Sequence, residues 1–191
     1  MNKPGITIRL PDWLERFMSG PPPVFPERED RMRLVIELSR LNVRYGSGGP
    51  FGAAVFDSCG VLIATGINMV ASSQCSLLHA EVVALASAQK VLGRYDIGDG
   101  GKLQYDLFAS TEPCAMCFGA IPWSGVSGLI CGARDEDVRG IGFEEGAKSV
   151  DWVSYLNQRG ISVVRDMLRF EAVAVLQEYA AAGGLLYNSG N

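Results

Sequence analysis

The sequence predicts an α/β fold: a three-layer α/β/α sandwich in which helices cover both faces of a five-stranded, mixed and largely parallel sheet. Two observations support this prediction. Short apolar segments alternate along the chain with helix-forming segments, which is the pattern of a sheet packed between helices. The 191 residues, 48% of them hydrophobic, are also enough to form one domain with a substantial core.

The chain opens with a proline-rich stretch, residues 1–27, that we expect to be an irregular arm. Proline has no amide hydrogen and interrupts regular helices, and it recurs at positions 4, 11, 21–23 and 26. The arm also carries apolar side chains, which we expect to lie on the body of the protein or on a partner subunit: Ile8, Leu10, Trp13, Leu14 and Phe17.

The elements over residues 28–182 are predicted to form one domain. An amphipathic helix from Glu29 to Tyr45 precedes a turn at 48–50, and strands 51–56 and 61–64 form a hairpin. A polar loop then leads to residue 79 and to a buried helix that ends near Gly93. The later elements are strands 106–110, 128–132 and 161–164, a helix that begins near Pro113, and helices 152–158 and 169–182. Residues 183–191 are predicted to form a C-terminal tail, for which Gly183-Gly184 offers a hinge.

Composition and charge narrow the choice of partner. The net charge is -4, and the arginines of the first helix alternate with acidic residues, so no basic cluster is present to neutralise nucleic acid phosphates. No apolar tract reaches the ~18 residues of a membrane span, and no signal peptide is evident. The five cysteines are an odd number and favour reduced thiols in the cytoplasm. We therefore expect a small, uncharged substrate.

Two short motifs carry the chemistry of the chain. His79, the only histidine, is followed by Ala80 and Glu81, and a second segment contains Cys114 and Cys117 behind Pro113. Zinc binds imidazole nitrogen and thiolate sulfur, and a catalytic site has three protein ligands and leaves the fourth position to water. His79 and Glu81 can converge only from the first turn of a helix, whereas two cysteines three residues apart share a helix face.

The spacing of these motifs has other interpretations. A lone Cys-x-x-Cys pair also occurs in structural zinc sites and in redox dithiols, and Cys59, Cys75 or Cys131 would then supply further ligands. Neither alternative explains why a histidine and a glutamate accompany the pair. The pattern His-x-Glu with Pro-Cys-x-x-Cys is the signature of zinc nucleobase deaminases, in which the glutamate transfers protons and does not bind the metal.

At this point the chain resembles the cytidine/deoxycytidylate deaminase superfamily, and within it the bacterial guanine deaminases. The resemblance covers roughly residues 28–145. Its shared stretches are Pro50-Phe51-Gly52-Ala53, Asn68, His79-Ala80-Glu81, Glu112-Pro113-Cys114-Ala115-Met116-Cys117, Gly119-Ala120-Ile121, Trp123, Asp137 and Gly142-Phe143. The implied fold is the cytidine deaminase-like sandwich, with one Zn²⁺ per chain.

The resemblance implies a role for each matching residue. His79, Cys114 and Cys117 hold the metal, and Glu81 transfers protons. Asn68 hydrogen-bonds the base, while Phe51, Ala80 and Trp123 help to form its pocket. An acidic residue near the ring nitrogens is expected among Asp137, Glu144 and Glu145, and we favour Glu145 as a second proton carrier. The tail is expected to cross to the other subunit of a homodimer and to close its pocket with Tyr187.

The predicted reaction is the hydrolytic deamination of a free aminated base, guanine to xanthine and ammonia. The alternatives are deamination of tRNA adenosine, cytosine or an amino-triazine such as ammeline. From a different class, a zinc-stabilised binding module without catalysis is the remaining hypothesis.

Overall fold

The computed structural model describes residues 7–188 and confirms the α/β fold with a five-stranded mixed sheet. The strands lie in the order β2-β1-β3-β4-β5. β1 is antiparallel to both β2 and β3, whereas β3, β4 and β5 are parallel. The strands are β1 (Gly52–Asp57), β2 (Leu62–Ile67), β3 (Tyr105–Thr111), β4 (Gly128–Ala133) and β5 (Ser162–Val164). The first six residues of the predicted arm and the last three of the predicted tail lie outside the described residues.

Helices cover both faces of the sheet, as predicted. They are α1 (Asp12–Phe17), α2 (Arg28–Arg44), α3 (Val70–Ser73), α4 (Ala80–Leu92), α5 (Ala115–Ser124), α6 (Asp135–Gly140), α7 (Trp152–Gln158) and α8 (Arg169–Ala181). Alternate residues of β1 point to opposite faces. Ala53 and Val55 pack in a core with α4, α5 and α7, whereas Ala54 and Phe56 pack in a second core with α2 and α8. Within residues 7–188, every helix is too short or too polar to span a bilayer.

The prediction of an irregular arm is wrong for its middle part, which forms α1. Pro11 has φ −66° and stands directly before the first helical residue, where a missing amide hydrogen costs no helical hydrogen bond. Leu14 is completely buried in a small core with Leu38 and Met69, and Phe17 stays largely exposed. The arm therefore packs against the body of the same chain.

One edge of the sheet collects the segments that carry the motifs. Because β1 is antiparallel to both of its neighbours, β2 and β3 run in the same direction and end at the same edge, together with β4. Asn68 follows β2, Glu112 follows β3, and Arg134 follows β4. The carboxyl ends of parallel strands are the usual place for a binding site in such folds.

Candidate active site

The three predicted metal ligands come together at the start of two helices. His79 is the residue before α4, Cys114 is the residue before α5, and Cys117 lies in the first turn of α5. Their ligand atoms all lie within 4.8 Å of one another, and Cys114 Sγ is 3.5 Å from His79 Nδ1. Tetrahedral zinc with ordinary bond lengths would separate sulfur and nitrogen by about 3.6 Å. The arrangement therefore fits zinc.

The composition of this group favours a catalytic over a structural zinc site. Structural sites close the metal with four protein ligands, whereas a catalytic site keeps one position open. Within residues 7–188 the group contains three ligands, and Cys59, Cys75 and Cys131 are not part of it. The pKa of Cys114 is lowered to about 4, chiefly because it is hydrogen-bonded to Cys117, and this favours the thiolate that a metal requires.

Glu81 is buried next to the metal group. Since α4 begins at Ala80, His79 and Glu81 both stand at the start of the helix, as the sequence predicts. Burial raises the pKa of the Glu81 carboxyl, and the negative charge of Cys114 raises it further. Both effects favour the protonated carboxyl over the carboxylate, and a positioned carboxyl group of this kind can take up and return a proton.

A cavity of about 370 Å³ opens beside the metal group. Of the predicted site residues, two metal ligands line it, His79 and Cys114, together with Glu81. Five further predicted residues line it as well: Phe51, Asn68, Ala80, Glu145 and Tyr187. No lysine or arginine is among the described residues that line it, although three further carboxylic or amide side chains are: Glu112, Glu144 and Asn188. The cavity is therefore acidic and offers no cation to a phosphate group.

Asn68 is held rigidly at the end of β2. Its backbone carbonyl accepts a 2.8 Å hydrogen bond from Nδ2 of Asn42, a buried residue of α2 that also donates to the carbonyl of Gly49. The Asn68 Oδ1 atom accepts from the backbone N–H of Val70 at 3.4 Å. With its backbone fixed in this way, Asn68 presents an amide to the cavity.

Aromatic rings and the C-terminal tail form the opposite wall. The ring of Phe143 lies 5.1 Å from that of Phe51 and 5.0 Å from that of Tyr187. Asn188 then accepts a hydrogen bond from the backbone N–H of Glu144 and donates one to the carbonyl of Gly142, both at 2.9 Å. In the described chain the tail thus lies over the cavity of its own subunit.

Two predicted pocket residues lie elsewhere. Trp123 is at the far end of α5, about 13 Å along the helix from Cys114 at 1.5 Å per residue. It is 77% exposed and lines a surface depression with Tyr95 instead. The Asp137 carboxylate accepts hydrogen bonds from the Arg169 side chain and the Arg134 backbone, all at 2.8 Å, and so faces away from the cavity.

Of the three acidic candidates, Glu145 has the surroundings of a proton carrier. Glu144 lines the cavity, but its carboxylate is bonded to Arg139 and to the backbone of Gly146. Glu145 is buried at the cavity wall, and burial raises its pKa to about 9, with the charges of Cys114 and Glu81 as further causes. These surroundings favour the protonated Glu145 carboxyl, which can donate a proton.

Sequence reasoning missed the ion pair that supports the cysteine loop. Glu112 is almost fully buried, and its carboxylate accepts hydrogen bonds from Arg165 Nε at 2.5 Å and from the backbone of Asp135 at 3.2 Å. Glu112 stands directly before the Pro-Cys motif, so its position was a signal. Its partner Arg165 is 53 residues away, and no motif in the sequence marks that position.

Comparison with known proteins agrees with this geometry. A solved structure of a guanine deaminase from Nitrosomonas europaea is 44% identical, with a TM-score of 0.89, and covers 93% of this chain and 97% of that chain. The guanine deaminase of Bacillus subtilis (strain 168) is 38% identical over 117 residues, which are 61% of this chain and 71% of the relative.

A relative with a different activity is less similar to this chain. The tRNA-specific adenosine deaminase of Haemophilus influenzae is 32% identical over 114 residues, which are 60% of this chain and 62% of the relative. The family described as the cytidine and deoxycytidylate deaminase zinc-binding region matches residues 26–133, which include His79, Glu81, Cys114 and Cys117. With the metal group and the adjacent carboxyl in place, the chain belongs to the cytidine and deoxycytidylate deaminase family.

Proposed function

We propose that the protein is a zinc-dependent aminohydrolase that converts guanine and water to xanthine and ammonia, with one zinc ion per chain. The observation that carries the proposal is a buried glutamate beside a three-ligand metal group, in a cavity that also holds an amide and aromatic rings. The similarity to guanine deaminases over almost the whole chain supports guanine as the substrate.

The lining of the cavity favours a free base over a nucleotide or a tRNA. Lysine and arginine are the side chains that bind phosphate groups most often, and the described lining residues include neither. A flat, uncharged purine suits the rings of Phe51, Phe143 and Tyr187. The Asn68 amide can donate to a ring carbonyl or nitrogen and accept from a ring N–H.

Each residue then has a defined task in the reaction. When bound, zinc supplies a Lewis acid that lowers the pKa of a water molecule. Glu81 takes a proton from the attacking water and delivers protons to the ring nitrogen and the departing amine. Glu145 donates or takes a proton on the other side of the cavity, and Asn68 orients the ring. Ammonia leaves, and the amine-bearing carbon of guanine becomes the new carbonyl of xanthine.

The protein is further proposed to act as a cytoplasmic homodimer. Five free cysteines support a reducing compartment, and the exposed rings of Tyr95 and Trp123 offer a surface for a second subunit. The tail could exchange between subunits by turning at Gly183, whose φ of +69° favours glycine, and would then make the same contacts with the partner.

A substrate panel tests the proposal. Ammonia release is measured with guanine, adenine, cytosine, cytidine, ammeline, guanosine 5′-monophosphate and a tRNA anticodon stem-loop. Light scattering on the same protein tests the homodimer, and the mass of two chains is expected. The highest kcat/KM is expected for guanine, with no release from the nucleotide or the stem-loop. A preference for the stem-loop would support the tRNA deaminase alternative, and no release at all would support the binding module.

The close approach of Tyr187 to Gly49 leads to a second prediction. A methyl group on Gly49 would come within 2.5 Å of Tyr187 Oη, so Gly49→Ala should push the ring away from the cavity. We expect KM for guanine to rise about tenfold, equivalent to ~1.4 kcal/mol of binding, while zinc content stays unchanged. Gly140→Ala is the matched control, because a methyl group there meets nothing within 4 Å. Equal KM values for the two variants would contradict the closing role of the tail.

A further inference from the structure

Lys148 is a buried cation that the proposed reaction does not use. Its side chain is only 5% exposed, although it lies in the segment between α6 and α7 and does not line the cavity. Burying an ammonium group costs several kcal/mol unless close partners compensate. Lys148 Nζ has three: it donates to the carbonyl of Pro113 at 2.7 Å, lies 3.3 Å from Asp135 Oδ2, and lies 4.8 Å from the centre of the Trp152 ring.

These contacts connect the segment that carries Glu145 with the segment that carries Cys114. Pro113 directly precedes the metal ligand Cys114, and Lys148 follows the proposed proton carrier Glu145 by three residues. A second bond runs alongside, because the backbone N–H of Ala115 donates to the carbonyl of Glu145 at 2.8 Å. The segment 145–148 is therefore attached to the start of α5 on both sides of Cys114.

A second cation holds the same segment from outside. Arg139 donates to the carbonyl of Gly146 at 2.8 Å and to Asp135 Oδ1 at 2.6 Å, so Asp135 binds Arg139 and Lys148 with its two oxygens. The Arg139 side chain is 40% exposed, and an ion pair in water is worth little. The Lys148 side chain is buried, where the dielectric constant is low and its contacts are therefore stronger than those of an exposed cation.

We propose that Lys148 is a positioning residue, which fixes the distance between the Glu145 carboxyl and the metal group by fastening segment 145–148 to Pro113. The inference rests on the proposed function, since it assigns to Lys148 the placement of a proton carrier of that reaction. Lys148 touches neither the substrate nor the metal and acts through Glu145.

The test compares Lys148→Met, which keeps the length of the side chain and removes the charge, with Lys148→Arg and with Lys102→Met. Lys102 is an exposed lysine on the surface and serves as the matched control. We expect Lys148→Met to lower kcat for guanine about 100-fold, the typical effect of a misplacement near 1 Å, with KM within about threefold of wild type. Zinc content should stay unchanged, and Lys148→Arg should restore part of kcat. If Lys148→Met does not fold, Lys148→Gln gives the same comparison.

A double-mutant cycle with Glu145→Gln separates positioning from general stability. If Lys148 acts through Glu145, Lys148→Met should lower kcat no further in the Glu145→Gln background. The inference is overturned if the two losses multiply, if Lys148→Met retains wild-type kcat, or if its loss is explained by missing zinc. Those outcomes leave guanine turnover by the wild type intact, whereas a wild type that releases no ammonia from guanine overturns the proposed function itself.

Discussion

Glu81→Gln is expected to retain zinc and to lose about 100- to 10,000-fold in kcat, the usual contribution of a positioned proton carrier. The amide has nearly the shape of the carboxyl but cannot accept the proton of the attacking water. Glu81 is not a member of the metal group, so the three ligands remain in place. Ammonia release and zinc content, measured on the same sample, test both parts of the prediction.

Glu171→Gln is the matched control for this experiment. Glu171 is an exposed glutamate of α8, far in the sequence from either motif, and its replacement should leave kcat unchanged. A Glu81→Gln variant as active as this control would remove Glu81 from the mechanism.

Cys117→Ala is expected to abolish both zinc binding and turnover. Cys117 is completely buried in the first turn of α5, and its loss leaves two ligands, too few for a tightly held zinc ion. Because an ion that binds only the folded state stabilises it, the melting temperature should also fall. Zinc analysis, ammonia release and thermal unfolding measure the three effects.

The exposed Cys59 provides the comparison for Cys117. Cys59→Ala should keep the zinc, the activity and the melting temperature of the wild type. Full activity in a zinc-free Cys117→Ala protein would show that the metal group has no part in the reaction.

The chemistry of the site was predictable because its signals are local in the sequence. His79 and Glu81 are two residues apart, Cys114 and Cys117 are three apart, and each pair needs only the start of a helix to converge. The strands were equally clear, since buried apolar runs such as 128–132 have few other interpretations. The mixed sheet and its helical layers follow from the order of these elements.

What the sequence could not provide are contacts between distant segments. Lys148 and Pro113 are 35 residues apart, and nothing in either residue indicates its partner. Trp123 shares a helix with the cysteines, yet the length of that helix takes it away from the cavity. The sequence does not predict α1 because proline usually interrupts a helix, although a proline just before the first turn is compatible with one.

The loop at residues 47–49 receives contacts from both ends of the described chain. Trp13 of α1 donates a 2.9 Å hydrogen bond to the Ser47 hydroxyl, and Tyr187 of the tail abuts Gly49 two residues later. If a base binds under Tyr187 as proposed, it stabilises this loop and, through it, the N-terminal helix. Local unfolding of the two chain ends is in this way linked to occupancy of the site, and each end should exchange its amide hydrogens more slowly when a base is bound.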